Sequence, residues 1–261
     1  MSGPIAVHSS LEAYRVAAAE LPVSTRIADE LAGAIAVVDG AGEWWDAASR
    51  ALEQKAVGIV VSRPRAAPSD ALDALAAAAE DRPIILERPL LRADIEGSIA
   101  ATLEHRPAHS ALVIECHAPS MALDGALRDA IGWARVLARA PLELRSAASA
   151  RGRGLALLDA AGGAPVTLIF AAQPGAPTSG RIRVTSLGIS LVELDGDEGD
   201  MAVTVTDVAS RRVAPARFER PERLALRRAV EAVAGDARTP DLAALALDAT
   251  LARAVLDASA S

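Results

Sequence analysis

The sequence has 261 residues and a net charge of −7, with 51% hydrophobic residues but only 2% aromatic residues. This apolar content excludes a disordered chain, and it suits one large domain or two ordinary ones with cores of Ala, Val, Leu and Ile. The arginines are scattered among acidic residues, which excludes the basic face that nucleic-acid binding requires. We therefore expect no nucleic-acid partner.

The chain has a single cysteine, Cys116, which excludes an internal disulfide and fits a reducing compartment. Its first ten residues lack the basic and apolar segments of a signal peptide. No uninterrupted apolar run approaches the roughly 20 residues that a membrane-spanning helix needs. These features predict a soluble, cytoplasmic protein without a membrane partner.

The first hundred residues alternate short apolar runs with helical patterns. The apolar runs predict strands at 4–8, 23–28, 34–38, 57–61 and 84–86. The helical patterns lie at 11–21, 43–54, 69–79 and 92–104. Uniformly apolar strands that alternate with helices indicate an α/β domain, a Rossmann-like parallel sheet with helices on both faces.

The pattern changes near Arg106 and Pro107, where we place the boundary between a domain of residues 1–106 and a domain of residues 107–261. Strands then come in series, at 111–116, 142–148, 166–171, 181–186, 190–194, 202–207 and 212–218. Helices are predicted at 122–138, 221–234 and 241–258. Strands in series with helices at the ends indicate an α+β domain with a mostly antiparallel sheet.

Three segments carry a resemblance to a known family. VGIVVSRP (57–64) and IILERPLL (84–91) are strands that end in Ser-Arg-Pro and Glu-Arg-Pro, with Pro64 and Pro89 25 residues apart. GALRDAIGWARVL (125–137) begins the second half as a helix, and antiparallel strands and a closing helix follow. Over nearly its whole length the chain resembles the glucose–fructose oxidoreductase / inositol dehydrogenase / MocA family. In that family the first of these strands ends in a small residue and Thr-Pro or Ser-Pro, and the second carries a Glu-Lys-Pro motif.

The resemblance implies an NAD(P)-dependent oxidoreductase of sugars or polyols. It also implies a homo-oligomer that assembles through the open face of the second-domain sheet. In the family, a lysine and a histidine near the nicotinamide carry the proton chemistry, and a glycine-rich turn approaches the cofactor pyrophosphate. Each of these parts can be compared with the residues present.

The glycine-rich turn is absent. A Rossmann turn needs Gly-x-Gly-x-x-Gly so that backbone N–H groups approach the pyrophosphate, but here the first strand continues as VHSSLEAY. The serines of this turn could cap the following helix without allowing close phosphate approach. Gly40-x-Gly42 follows a later strand, with Trp45 at the third glycine position, and we interpret it as a turn. The candidate cofactor contacts are Ser9, Ser10, Ser62, Arg63 and Pro64, where Arg63 could meet a 2′-phosphate.

The proton-transfer residues are also replaced. Arg88 stands in the lysine position, and an arginine cannot be deprotonated in a protein. Trp133 stands in the histidine position, while an alignment on Arg135 puts Asp129 there instead. Asp129 and Trp133 are one helical turn apart and share a face. The candidate pocket residues are therefore Glu87, Arg88, Asp129 and Trp133.

Two hypotheses follow. The first is a family member that has lost dinucleotide binding and hydride transfer, needs no cofactor, and serves as a structural, regulatory or small-molecule-binding protein. The alternative is an active NAD(P)-dependent oxidoreductase of a sugar, polyol or related molecule with atypical cofactor contacts. We expect no metal, because the acidic segment 195–200 lacks the terminal glutamate of a calcium loop and no zinc pattern occurs.

Overall fold

A computed structural model describes residues 3–103, 110–215, 219–235 and 239–258. The chain forms two compact units, one of Met1–Arg88 with Glu219–Ala246, the other of Pro89–Phe218 with Leu247–Ser261. The boundary predicted at residues 106 and 107 lies outside the described residues. None of the helices in the described ranges is long and apolar enough to cross a membrane.

In the described part of the first unit, five parallel strands form one sheet in the order β2-β1-β3-β4-β5. Their bounds are β1 Ile5–His8, β2 Thr25–Ile27, β3 Ala34–Asp39, β4 Gly58–Ser62 and β5 Ile84–Glu87. Most residues of β3, β4 and β5 are buried, because helices cover both faces of a parallel sheet. The predicted Rossmann-like sheet is confirmed.

The helices of this unit divide between the two faces. Helix α1 (Glu12–Ala19) and helix α6 (Pro221–Gly235) pack on one face, and helices α2 (Trp44–Glu53) and α3 (Ser69–Ala79) pack on the other. The expectation that a serine caps α1 is wrong, because Leu11 occupies the N-cap position and makes no side-chain hydrogen bond there. Ser9 instead accepts a hydrogen bond from the Leu11 N–H, at 3.1 Å.

The connection from β2 to β3 has no helix. It crosses β1 in six residues, 28–33, although a parallel connection commonly takes a dozen or more. A helix there would have packed on the sheet beside α2. The short crossover therefore leaves part of that face next to β1 and β3 under a loop alone.

Strand β5 lies at the edge of the sheet, and side chains from residues 239–241 satisfy its outer backbone groups. Thr239 Oγ1 donates to the Ile84 carbonyl at 2.7 Å, and Asp241 Oδ2 accepts from the Leu86 N–H at 2.9 Å. Arg228 on α6 holds Asp241 through two hydrogen bonds. This arrangement fixes the end of β5, where Glu87 lies.

In the described part of the second unit, eight strands form a sheet in the order β13-β12-β11-β10-β6-β9-β8-β7, antiparallel except between β6 and β9. The strands are β6 Ala111–Ala118, β7 Leu142–Ala150, β8 Arg153–Ala160, β9 Pro165–Ala172, β10 Arg181–Leu187, β11 Leu191–Asp197, β12 Met201–Thr206 and β13 Arg211–Val213. The helices are α4 Ala93–Leu103, α5 Leu123–Ala138 and α7 Asp241–Asp257, of which α7 begins in the first unit. This confirms the predicted mostly antiparallel sheet.

Strand β8 was missed at the sequence level. Its sequence RGLALLDA is rich in Leu and Ala, which favour helices, so its propensity does not indicate a strand. Pairing with β7 and β9 on both sides decides its structure. Gly154 allows this pairing, because a Cβ there would lie 2.4 Å from the Ala148 carbonyl oxygen and 2.6 Å from the Phe170 ring.

One face of this sheet packs on α5, and the opposite face carries exposed aliphatic side chains. Val113, Leu155, Leu157 and Ile169 are each between 36% and 45% exposed. Leu155 lies directly opposite Ile169, and Thr167 lies opposite both Leu157 and Val113. These four aliphatic residues therefore form a continuous patch, called the sheet patch below.

Candidate functional site

A cavity extends along β3, from His8 and Asp39 at the carboxyl ends of β1 and β3 to Leu31, which precedes β3. Strand β2 lies on one side of β1 and β3 on the other, so the chain reverses its direction across the sheet at this point. In open α/β sheets, ligands bind in the crevice at such a reversal. The cavity has a volume of about 350 Å³. Its lining combines polar residues (His8, Ser10, Asp39, Arg50, Gln54) with apolar residues (Leu31, Ala36, Val37, Val38, Ala47, Ala51).

The residues at this end of the sheet fit a nucleotide. His8 Nδ1 is buried and has no hydrogen-bond partner among the described residues, so a polar ligand atom would satisfy it. Arg50 is exposed in the cavity lining and can pair with a phosphate. Asp29 and Glu30 follow β2 and are exposed, at the place where a Rossmann fold carries the acid that binds a ribose hydroxyl.

Sequence reasoning missed Asp29. It lies 20 residues after Ser9, and about 20 residues is the usual spacing between the phosphate turn and the ribose-binding acid. The spacing is visible in the sequence, but β2 has only three residues and is a faint signal on its own. Pairing with β1 is what identifies residues 25–27 as the second strand of the fold.

Gly40 serves packing between two turns. A Cβ on Gly40 would lie 2.2 Å from the Ser62 carbonyl oxygen and 2.6 Å from Pro64 Cα. The Gly40 N–H donates to that Ser62 oxygen at 2.8 Å, and the Arg65 N–H donates to the Gly40 carbonyl at 2.9 Å. Trp44 Nε1 donates to the Arg65 carbonyl at 3.0 Å. Gly40 therefore lets the turn after β3 approach the turn after β4 closely. This agrees with the sequence-based interpretation of Gly40-x-Gly42 as a turn.

Glu87, the last residue of β5, is at the centre of a buried polar cluster. It is 3% exposed. Tyr14 on α1 donates its hydroxyl to Glu87 Oε2 at 2.5 Å, and Ser62, the last residue of β4, donates to the same oxygen at 3.0 Å. Arg63 Nε lies 3.4 Å from the other oxygen, Oε1. This cluster joins two predicted cofactor contacts, Ser62 and Arg63, to the glutamate of the Glu-Arg-Pro motif.

Glu222, in the first turn of α6, brings a second carboxylate to the cluster. Oxygens of Glu87 and Glu222 lie within 4.8 Å of one another. Burial raises the pKa of Glu87, while the Tyr14 hydrogen bond and the Arg63 charge oppose that shift. Burial and the negative charge of Glu87 raise the pKa of Tyr14, which therefore stays a hydrogen-bond donor. Glu87 Oε1 is buried and accepts no hydrogen bond within the described ranges.

The backbone at Arg63 adopts a left-handed conformation with φ +49°. Only a few per cent of residues other than glycine do so, and the residue before a proline ordinarily prefers extended backbone. Here Pro64 follows directly. Such conformations concentrate at functional sites, and this one points the Arg63 guanidinium back toward Glu87.

Asp129 and Trp133, in the second unit, hold the backbone of one residue after the Glu-Arg-Pro motif. Asp129 Oδ2 accepts from the Leu90 N–H at 3.1 Å, and Trp133 Nε1 donates to the Leu90 carbonyl at 2.6 Å. Both side chains are buried, and Trp133 is 0% exposed. These two side chains, which share one face of α5, fix the backbone position of Leu90. Ligand contact by either residue stays a prediction.

Arg88 is half-buried and is the last residue of the first segment of its unit. Two of the predicted cofactor contacts lie in the turn after β1. Ser9 is buried there, and Ser10 lines the cavity. One predicted cofactor contact, Ser10, therefore lies in the cavity lining. Two others, Ser62 and Arg63, contact Glu87. Contact of any of these residues with a ligand stays a prediction.

Solved structures share this fold. The fold of KijD10, a 3-ketoreductase from Actinomadura kijaniata in complex with TDP-benzene and NADP, matches 98% of this chain and 89% of its own, with a TM-score of 0.67 at 14% identity. UDP-N-acetylglucosamine 3-dehydrogenase GnnA from Acidithiobacillus ferrooxidans matches over 99% of this chain and 98% of its own, with a TM-score of 0.74 at 13% identity. No protein-family model and no curated protein matches the sequence. At sequence identities of 13% and 14%, this similarity shows that the fold is shared.

This comparison corrects the expectation of no cofactor. That expectation rested on the missing glycines, but structures of KijD10 with the same fold were determined in complex with NADP. A missing glycine removes one way for the backbone to approach a phosphate. It does not remove the crevice at the strand reversal, which the order of the strands creates.

Proposed function

We propose that this protein binds NAD or NADP and is an oxidoreductase of a sugar, polyol or related small molecule. In this proposal it is a divergent member of the glucose–fructose oxidoreductase / inositol dehydrogenase / MocA family and works in the cytoplasm. The observation that carries the proposal is the cavity of about 350 Å³ that reaches the carboxyl ends of β1 and β3. That is the place where a fold of this kind binds a nucleotide.

This chain's own residues suit the cofactor in an atypical way. Asp29 would accept hydrogen bonds from the adenosine ribose, and His8 Nδ1 would meet a polar group of the ligand. Arg50 would offset phosphate charge that glycine backbone N–H groups otherwise meet at close range. When bound, NAD(P) supplies the hydride acceptor or donor of the reaction.

A binding titration tests the proposal directly. NAD⁺, NADH, NADP⁺ and NADPH would each be titrated, with tryptophan fluorescence as the readout because Trp44 and Trp45 begin the helix that lines the cavity. We expect saturable binding of at least one dinucleotide at micromolar concentrations. A flat response to all four would overturn the proposal.

A pair of variants locates the binding site. Ala47→Phe fills the cavity from α2, and we expect it to weaken dinucleotide binding by at least about tenfold, or about 1.4 kcal/mol. Glu53→Phe places the same side chain at an exposed position of the same helix, outside the lining, and should bind like the parent. Equal affinity in all three proteins would place the dinucleotide elsewhere.

Turnover is a separate question from binding. GnnA is by name a dehydrogenase of UDP-N-acetylglucosamine, and KijD10 is a 3-ketoreductase that was solved with TDP-benzene. Ketone and alcohol forms of nucleotide-linked sugars are therefore the first substrates to assay. Reduction or oxidation with a bound dinucleotide would establish the activity. Binding with no turnover of any of them would favour the non-catalytic, ligand-binding role, which the arginine in the motif also favours.

We also propose that the protein is a homo-oligomer that pairs through the open face of the second-domain sheet. The sheet patch supports this, because contiguous exposed aliphatic side chains on one face commonly mark a protein interface. Ion pairs on the neighbouring strands β10 and β11, such as Arg183 with Glu193, give the patch a polar rim.

A further inference from the structure

The loop that joins β2 to β3 carries two acidic residues at the rim of the cavity. Its sequence is ADELAG. The Ala28 N–H donates to the Val7 carbonyl of β1 at 2.9 Å, and Leu31 is one of the residues that line the cavity. Asp29 and Glu30 connect these two fixed points, and both are exposed. Each acid is within two residues of the lining, so both carboxylates border the space that a ligand would fill.

The side chains of this loop accept hydrogen bonds and donate none. An ionised carboxylate is an acceptor only, and the remaining residues of the loop are alanine, leucine and glycine, which have no polar side chain. The hydroxyls of a ribose are donors, so they suit such a loop. A phosphate group carries about 1.5–2 negative charges near neutral pH and offers acceptor oxygens. Beside this loop it would meet two like charges and no side-chain donor.

The basic residues of this unit do not form a phosphate site at the loop. Arg50 is the single arginine among the described residues that line the cavity, and the pyrophosphate of either cofactor needs its charge. Arg26 on β2 and Lys55 after α2 are not among the lining residues. Arg63 follows β4, which is three strand spacings, or about 14 Å, from β2. Its guanidinium also lies 3.4 Å from the carboxylate of Glu87.

We propose that the cavity discriminates against a phosphate on the adenosine ribose, so that the protein binds NAD in preference to NADP. Asp29 accepts hydrogen bonds from the ribose hydroxyls, because it has the usual spacing from the turn after β1. Glu30 repels a 2′-phosphate. The inference rests on the proposed function, since it concerns the same cavity. It does not follow from the shared fold, because KijD10 was solved in complex with NADP.

The rest of the cavity treats the two cofactors alike. NAD and NADP differ only in the 2′-phosphate, so the buried His8 Nδ1, Ser10 and Arg50 meet the same groups in both. Specificity is a difference between two affinities, and here it is set at the ribose. NAD gains charge-assisted hydrogen bonds there, while NADP loses them and brings a phosphate against two carboxylates.

The test compares ligand pairs that differ only in the 2′-phosphate, with the full chain. NADH and NADPH are titrated first, at one fixed ionic strength because salt screens charges at the surface. 5′-AMP and adenosine 2′,5′-bisphosphate are then used to displace bound NADH, whose fluorescence is the readout. We expect the dissociation constant of NADH to be at least about tenfold below that of NADPH. 5′-AMP should displace NADH at a concentration lower by a similar factor than the bisphosphate, which places the discrimination in the adenosine half.

Two single variants separate the roles of the acids. Asp29→Ala removes the acceptors of the ribose hydroxyls, so NADH binding should weaken at least about tenfold while NADPH binding does not weaken. Glu30→Arg replaces a repelling charge by phosphate donors, so NADPH binding should tighten at least about tenfold. Asp73 supplies the matched controls, because it is an exposed acid of α3 outside the cavity lining. Asp73→Ala and Asp73→Arg should keep the parent ratio of affinities.

The outcomes distinguish this inference from the proposed function. NADPH binding as tight as that of NADH, or equal displacement by the two adenosine fragments, would overturn the inference and leave the proposed function standing. An unchanged ratio of affinities in both Asp29→Ala and Glu30→Arg would overturn the assignment to these two residues. If none of the four dinucleotides binds, the proposed function and the inference fail together. Thermal unfolding midpoints close to that of the parent confirm that the variants are folded.

Discussion

The Tyr14 hydroxyl lies 2.5 Å from Glu87 Oε2, which ties the first turn of α1 to the last residue of β5. Tyr14 is the only tyrosine in the chain and is 0% exposed, and its partner is the glutamate of the Glu-Arg-Pro motif. The two residues are 73 positions apart in the sequence. This contact defines a buried polar centre in a unit whose core is mostly aliphatic.

Removing the Tyr14 hydroxyl should destabilise the fold. Tyr14→Phe keeps the ring in place but deletes a donor to a buried carboxyl group, at a cost of roughly 1.5–3 kcal/mol in the free energy of unfolding. Urea denaturation at neutral pH measures this. In the double variant with Glu87→Gln, the Tyr14→Phe substitution should cost less than in the parent, and equal costs in both backgrounds would show that the contact carries no coupling energy.

Stability should fall as the pH rises above the ordinary glutamate range. The pKa of Glu87 is raised in the folded state by burial, so below about pH 4.3 the residue is neutral in both states and its stabilising contribution is complete. That contribution is lost as the pH rises through the folded-state pKa, because ionisation then favours the unfolded chain.

Glu87→Gln removes this dependence, since the amide does not ionise. Its urea midpoint should change less than that of the parent between about pH 5 and pH 8, and Glu231→Gln should follow the parent. Parallel pH profiles for the parent and Glu87→Gln would contradict the raised pKa.

Cys116 should be inert in the folded protein. It is 2% exposed, and burial raises the pKa of its thiol to about 12, with the nearby Asp129 adding to the shift. On the order of 10⁻⁴ of the thiol is ionised at pH 8, and the thiolate is the reactive form. A thiol reagent should modify the folded chain far more slowly than the chain in denaturant. Comparable rates would mean that the core around β6 opens readily.

The sheet patch should control association. Leu157→Glu places a charge in the patch, and light scattering should show the dissociation constant of the oligomer rising at least about tenfold. Val208→Glu is the matched control, because Val208 is fully exposed in the turn between β12 and β13. A parent protein that is monomeric at micromolar concentration would contradict the predicted oligomer.

Gly40 should tolerate no side chain. Gly40→Ala brings a Cβ against backbone atoms of Ser62 and Pro64, which cannot rotate away, and the expected loss of stability is about 1–3 kcal/mol. Gly97→Ala is the comparison, because Gly97 lies inside α4 with open space around it and alanine favours helices. Thermal unfolding of both variants should show shifts of opposite sign.

The sequence by itself determined the kinds of elements and their order. Apolar runs such as 57–61 and 84–86 predicted buried parallel strands, and the change of pattern beyond residue 110 predicted a series of strands. These signals are local, because period and burial on both faces are written in consecutive residues. The glycine-free turn after β1 and the arginine at position 88 were equally visible.

Only the tertiary structure decided which residues act together. Strand β8 has the composition of a helix and exists because β7 and β9 pair with it. The cavity exists because β2 crosses to β3 without a helix, and the cluster exists because Tyr14, Ser62, Glu87 and Glu222 converge from four separate elements. Side chains so far apart in sequence leave no local pattern, so their chemistry appears only when the sheet brings the ends of its strands together.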